Sequence, residues 1–217
     1  MVVRDQKLWR HVAVFALAVL ALGVAHQWVN PWLRYDRAAL AAGQGWRLWS
    51  AHVSHLNTWH TVMNLAGLVL IVHFFRDLLD RYRFWSWLLF CGLFSSAALY
   101  LLDPGLDWYV GLSGLLHALL VFCLLLGWRG HPWLHSLVLA VVAGRLLVEQ
   151  WPGYDVDYLR GWIGGSVYVN AHLYGAISGV FLMMGVTGFE RSRIGHKERL
   201  SLIHISEPTR LPGNSYA

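Results

Sequence analysis

Six apolar runs, residues 8–25, 58–75, 84–102, 111–126, 133–148 and 168–188, occupy about half of this chain. Each is close to the roughly 17–25 residues that a helix needs to cross a bilayer. In hydrocarbon every backbone N–H and C=O must be paired internally, so runs of this length are expected to fold as helices. The class that follows is an all-α membrane protein with six transmembrane helices. Composition agrees, since 57% of the 217 residues are hydrophobic and only 13% are charged. The 13 tryptophans gather at the ends of apolar runs, as interfacial anchors do. The net charge of +5 comes from Lys and Arg scattered over hydrophilic turns without forming a stripe, which argues against a nucleic-acid partner. The lipid bilayer is the expected surroundings. Cys91 and Cys123 both fall inside apolar runs, where cysteine acts as a small hydrophobe and not as a disulfide framework.

Lys and Arg set the expected orientation. Arg4, Lys7 and Arg10 precede the first run, Arg76, Arg81 and Arg83 separate the second from the third, Arg129 follows the fourth, and Arg191, Arg193, Lys197 and Arg199 follow the sixth. The positive-inside rule then puts both termini in the cytoplasm. The first run has the basic start of a signal peptide, but no small-x-small site follows it, so it reads as an uncleaved helix. One compact membrane domain is expected over 1–199. Residues 200–210, "LSLIHISEPTR", resemble the translation of a sequencing-library adapter, and 200–217 is expected to be an artefact tail with no evolved role.

Strongly polar groups inside spans are expensive, and each is a functional hypothesis by default. His60 and Asn64 in the second run, Ser113 in the fourth and His172 in the sixth lie within about two turns of the same end of their helices, at about 1.5 Å per residue. His60 and Asn64 share one stripe at i, i+4, as do Ser113 and His117. Gly175 and Gly179 form a Gly-x-x-x-Gly step that admits a close neighbour, and the glycines of the serine run, Gly111 and Gly114, make it the natural one. The fourth run is short, so its start is expected to lie below the membrane surface, where unpaired N–H groups and the positive end of the helix dipole would form an oxyanion site. Taken alone, Ser113 could cap its own helix, and His60 with Asn64 could act as packing glue between helices. His52, His55 and His60 could be read as zinc donors, but no carboxylate lies close in sequence and there is no His-Glu-x-x-His, so neither a metal nor a cofactor is expected.

Three segments together, "GLSG" at 111–114, "AHLYGAISG" at 171–179 and "HLNTWHTVMN" at 55–64, resemble the rhomboid family of intramembrane serine proteases. The resemblance covers about 45–191. It implies a six-helix rhomboid-like bundle with Ser113 as nucleophile, His172 as general base, and His60 and Asn64 as oxyanion donors beside the Ser113 N–H. Where many rhomboids carry a tyrosine one turn after the serine, this chain has His117, and "GLSGLLH" looks more like the rhombosortase subgroup. That implies a substrate class of exported, membrane-anchored proteins whose C-terminal tag holds a Gly-Gly motif, one transmembrane helix and a basic end, processed at the inner membrane of a bacterium. A general rhomboid protease and an inactive rhomboid-like binder are the competing readings. No acidic third member is evident, because Asp103, Asp107, Asp155 and Asp157 fall in loops, and a Ser–His dyad is expected. The segment "GWIGGS" at 161–166 reads as a flexible loop before the sixth helix.

Overall fold

Each of the six apolar runs is built on a helix. The structure, a computed structural model, describes the backbone of residues 2–79, 84–154 and 157–205 and the side chains of 6–79, 84–154 and 160–189. Arg81, Arg83, Asp155 and tail residues 206–217 lie outside the described residues. The order is α1 (Val2–Val24), α2 (His26–Leu33), β1 (Tyr35–Asp36), α3 (Arg37–Ala41), α4 (Arg47–Ser50), a 3-10 turn (Ala51–Val53), α5 (Thr58–Leu79), α6 (Phe84–Leu102), β2 (Trp108–Tyr109), α7 (Ser113–Leu126), α8 (Pro132–Glu149), α9 (Asp157–Ile163) and α10 (Asn170–Ile205). The chain divides into two compact units, Met1–Met183 and Met184–Ala217. The packing and the site described below belong to the first; the second holds the continuation of α10.

Among the described residues, five helices are long and apolar enough to span a bilayer: Gln6–Val24, Thr58–Leu79, Phe84–Leu102, Pro132–Glu149 and Asn170–Phe189. The remaining apolar helix, α7, has only 14 residues, a rise of about 21 Å against a hydrocarbon core of about 30 Å. It is also the helix most enclosed by protein. Leu115, Ala118, Leu119, Phe122, Cys123 and Leu124 are all buried, and α5, α6 and α8 pack against it. A helix that is apolar all round is stable where neighbours cover every face. Large apolar side chains such as Phe74, Leu101, Trp133 and Leu137 remain on the outside of the bundle, a surface suited to acyl chains.

The segment between α1 and α5 is a folded cap on the bundle. β1 pairs antiparallel with β2, placing Tyr35 opposite Tyr109 and Asp36 opposite Trp108. Asp36 caps α3 by accepting from the Ala39 N–H at 3.1 Å. That backbone bond, with the Arg34 guanidinium beside it, holds the Asp36 carboxyl below its ordinary range. Arg37 donates to the carbonyls of Leu99, Tyr100 and Asp103 at and just beyond the end of α6. Buried Arg47 donates to the Pro31 and Arg34 carbonyls, at 2.9 Å each, and to Gln44 Oε1 at 2.7 Å. The Arg47 bonds hold the cap together, the Arg37 bonds and the β1–β2 pairing fix it to α6 and β2, and β2 leads directly into α7.

Two expectations about boundaries change. The sixth run begins as a helix at Asn170, after a non-helical Tyr168 and Val169. Gly161 and Trp162, expected in a flexible loop, close the short helix α9 instead, and the left-handed backbone of Gly164 (φ 76°) ends it. The chain then runs irregularly to α10.

Candidate active site

The serine helix starts where a glycine permits it. Gly111 has φ 141°, a region side chains rarely adopt, and its ends are tied: its N–H donates to Ala51 O at 3.0 Å and its carbonyl accepts from Tyr109 Oη at 2.7 Å. The chain turns there and α7 begins two residues later at Ser113, so the first-turn N–H groups have no partner inside the helix.

Backbone contact brings α10 to that point. A Cβ at Gly175 would overlap the Gly114 carbonyl, one at Gly179 the Ala118 carbonyl, and one at Gly114 would lie 2.7 Å from Ala171 O. The expected small-residue seam between the serine and histidine helices is therefore present. The start of α10 is held from the other side by Asp103, whose carboxylate accepts from Asn170 Nδ2 at 3.0 and 3.1 Å and from Tyr174 Oη at 3.0 Å. Those two residues flank His172, and the imidazole has little freedom of position.

In that frame Ser113 Oγ lies 3.0 Å from His172 Nε2. The other ring nitrogen, Nδ1, lies 2.9 Å from Glu149 Oε2 at the last turn of α8. A carboxylate only accepts, so His172 Nδ1 carries the proton and Nε2 is left to accept from the serine hydroxyl. Arg145 Nε donates to the second carboxylate oxygen, Oε1, at 2.8 Å. The expectation that no acidic residue accompanies the serine and histidine differs from the structure at one point: the Glu149 carboxylate lies beside His172. Glu149 is not one of the loop acids that the sequence offers as candidates, because it closes the long apolar helix α8. The available signal was Arg145, an arginine inside an apolar run with an acid four residues on, a pair that bilayer energetics make conspicuous.

His60 and Asn64 reach the same place from α5. Asn57 caps this helix, accepting from the His60 N–H at 2.8 Å. His60 Nδ1 accepts from the Leu56 N–H at 3.4 Å, which leaves the ring proton on Nε2. That edge faces Gly111 and, with Ser113, lines two adjoining cavities. One, of about 200 Å³, is lined by His60, Asn64, Ser113, His117, Arg145, Glu149 and His172. The other, of about 270 Å³, runs from Ser113 and His60 past Trp108 to the 164–168 segment. Asn64 Nδ2 donates to His60 O at 3.1 Å, which leaves its second amide hydrogen for the cavity.

His117 stacks on His172, with centroids 4.4 Å apart and planes within 19°, and its Nδ1–H donates to Ser113 O at 2.9 Å. It supports the base ring and the nucleophile's backbone together. His52, once a conceivable metal donor, lies with Nε2 3.0 Å from Gly92 O and 2.9 Å from Ser96 Oγ on α6, while His55 meets His60 ring to ring at 5.0 Å. Burial holds His52 down to about 4; burial and then the charge of His60 hold His55 down to about 3. Both are neutral at neutral pH. Among the described residues no three His, Cys, Asp or Glu side chains group as metal ligands.

No curated protein shows a significant match to the chain. The Rhomboid domain family does, over residues 42–189, a stretch that contains α5, α7 and the membrane-spanning part of α10 and with them every group that meets at Ser113. With that match over most of its length, and with membrane-length apolar helices beside a short buried one, the chain belongs to the rhomboid family, whose members are intramembrane serine proteases.

Proposed function

We propose that this chain is an active intramembrane serine protease with Ser113 as nucleophile and His172 as general base. The observation that carries the reading is the 3.0 Å approach of Ser113 Oγ to an imidazole nitrogen whose only open role is acceptor. In the first step Ser113 Oγ bonds to the substrate carbonyl carbon and its proton passes to His172 Nε2. The oxyanion is met by the Ser113 N–H, His60 Nε2–H and the free amide hydrogen of Asn64. Collapse breaks the C–N bond, and His172 returns the proton to the departing amine. Water, or an amine acceptor, then opens the acyl-enzyme. The intact, bonded serine and histidine argue against an inactive binder.

The substrate class we propose rests on the resemblance of "GLSGLLH", in which His117 replaces the tyrosine of many rhomboids, to the rhombosortase subgroup. It is a membrane-anchored exported protein with a C-terminal Gly-Gly tag and one transmembrane helix, met at the inner membrane of a bacterium with both termini of the protease in the cytoplasm. Paired glycines suit such a site, because they weaken the helix that would otherwise shield the scissile peptide. Purified protein in liposomes is expected to cut a Gly-Gly-tagged reporter, to leave an untagged single-span reporter intact, and to lose all cleavage in Ser113→Ala. Unchanged processing by Ser113→Ala would end the proposal; equal cutting of the two reporters would keep the protease but make it a general one.

A further inference from the structure

Glu149 sits where local rules disfavour an anion. It is the last residue of α8, whose C-terminal dipole end repels negative charge, and its pairing with Arg145 runs in the less favourable Arg-before-acid order. Its side chain is 1% exposed, and burying a carboxylate is costly unless both oxygens are paired. Both are: Oε2 takes His172 Nδ1–H and Oε1 takes Arg145 Nε. Residues that break local preference and are then fully compensated mark functional sites.

The geometry points to Glu149 as a positioning residue that completes a Ser113–His172–Glu149 triad, with Arg145 fixing the carboxylate. This rests on the reading of Ser113 and His172 as nucleophile and base. The carboxylate holds His172 in the tautomer with the proton on Nδ1, so that Nε2 is always the nitrogen presented to Ser113, and it stabilises the imidazolium formed when the Oγ proton arrives. The proton on Nδ1 stays there throughout. Glu149 gains none, and the proton on Nε2 leaves with the amine. His117 holds one face of the ring and Glu149 its far edge.

The test measures kcat and KM of Glu149→Gln, of Glu149→Asp, and of Glu149→Gln combined with His172→Ala, in liposomes with a cleavable reporter. Glu149→Gln is expected to lower kcat by about 10²- to 10⁴-fold with KM little changed, as loss of the tautomer-setting acid does in other triads. Glu149→Asp should recover part of the rate. In the His172→Ala background Glu149→Gln should add no further loss, because it acts through the imidazole. On the unmutated protein, ¹⁵N-histidine NMR should show His172, identified as the signal missing in His172→Gln, with its proton on Nδ1. A Glu149→Gln enzyme with near wild-type kcat, a full extra loss without His172, or a proton on Nε2 would overturn the triad while leaving the protease standing. A rate that His172→Ala does not lower would overturn the protease reading and the triad with it.

Discussion

A single methyl group at Gly114 should separate nucleophile from base. Gly114 follows Ser113 and faces the carbonyl of Ala171, which precedes His172, and a Cβ there would lie 2.7 Å from that oxygen. Close carbon–oxygen contacts run at about 3.3–3.6 Å, so Gly114→Ala should push the two backbones apart by about 0.6–0.9 Å. Added to the present 3.0 Å between Ser113 Oγ and His172 Nε2, this gives about 3.6–3.9 Å, beyond hydrogen-bond range. A misplacement approaching 1 Å lowers rates by about 10²-fold, and overpacking of this kind costs about 1–3 kcal/mol of stability. Gly175→Ala, whose added carbon meets the Gly114 carbonyl more closely still, should be worse. Gly144→Ala on α8, with nothing within 4 Å of the new carbon, should be neutral. Reporter cleavage in liposomes reads kcat, and thermal melting of each variant checks that it is folded. A folded Gly114→Ala enzyme with the wild-type rate would refute the argument that the glycine seam sets the catalytic distance.

Further outcomes follow from the same geometry. Asn64→Ala should weaken cleavage by about 10²- to 10³-fold without abolishing it, the usual loss for one oxyanion donor, with kcat as the readout. Asp103→Ala removes the anchor that Asn170 and Tyr174 share; it should lower the melting temperature by an amount equivalent to about 1–3 kcal/mol and reduce kcat as His172 loosens. Stability should fall on acidification. His52 and His55 sit near 4 and 3 when folded, against an ordinary value of 6.5. The unfolded chain therefore binds more protons, and stability that is complete above pH 6.5 is lost as pH falls toward 4. Melting curves in detergent at pH 7.5, 6, 5 and 4.5 should show the decline, and a flat profile would contradict the buried neutral state of both rings.

The parts of this protein legible in its sequence are those that the bilayer forces into view. Length and hydropathy reveal the helices because unpaired backbone is intolerable in hydrocarbon, and Ser113, His172, His60 and Asn64 stand out because polar groups are rare there. The cap between α1 and α5 was opaque: its order comes from Arg37 and Arg47 donating to carbonyls remote in sequence, and no local pattern encodes that. Glu149 was hidden for a related reason. Hydropathy places it at the edge of a span, where an acid looks like the start of a loop, and only the packing of α8 beside α10 turns it toward His172. At Gly161 and Trp162 glycine content suggests a loop, whereas they close α9, and Asn57 Nδ2 donating to Trp162 O at 3.0 Å ties that end to the cap of α5.

The central claim, that the imidazole of α10 activates the hydroxyl at the head of α7, is tested most directly by covalent labelling. A fluorophosphonate incubated with the purified protein in liposomes, followed by peptide mass spectrometry, should give one adduct on Ser113, and His172→Ala should all but abolish it. An unlabelled Ser113, or labelling that persists undiminished without His172, would contradict the account.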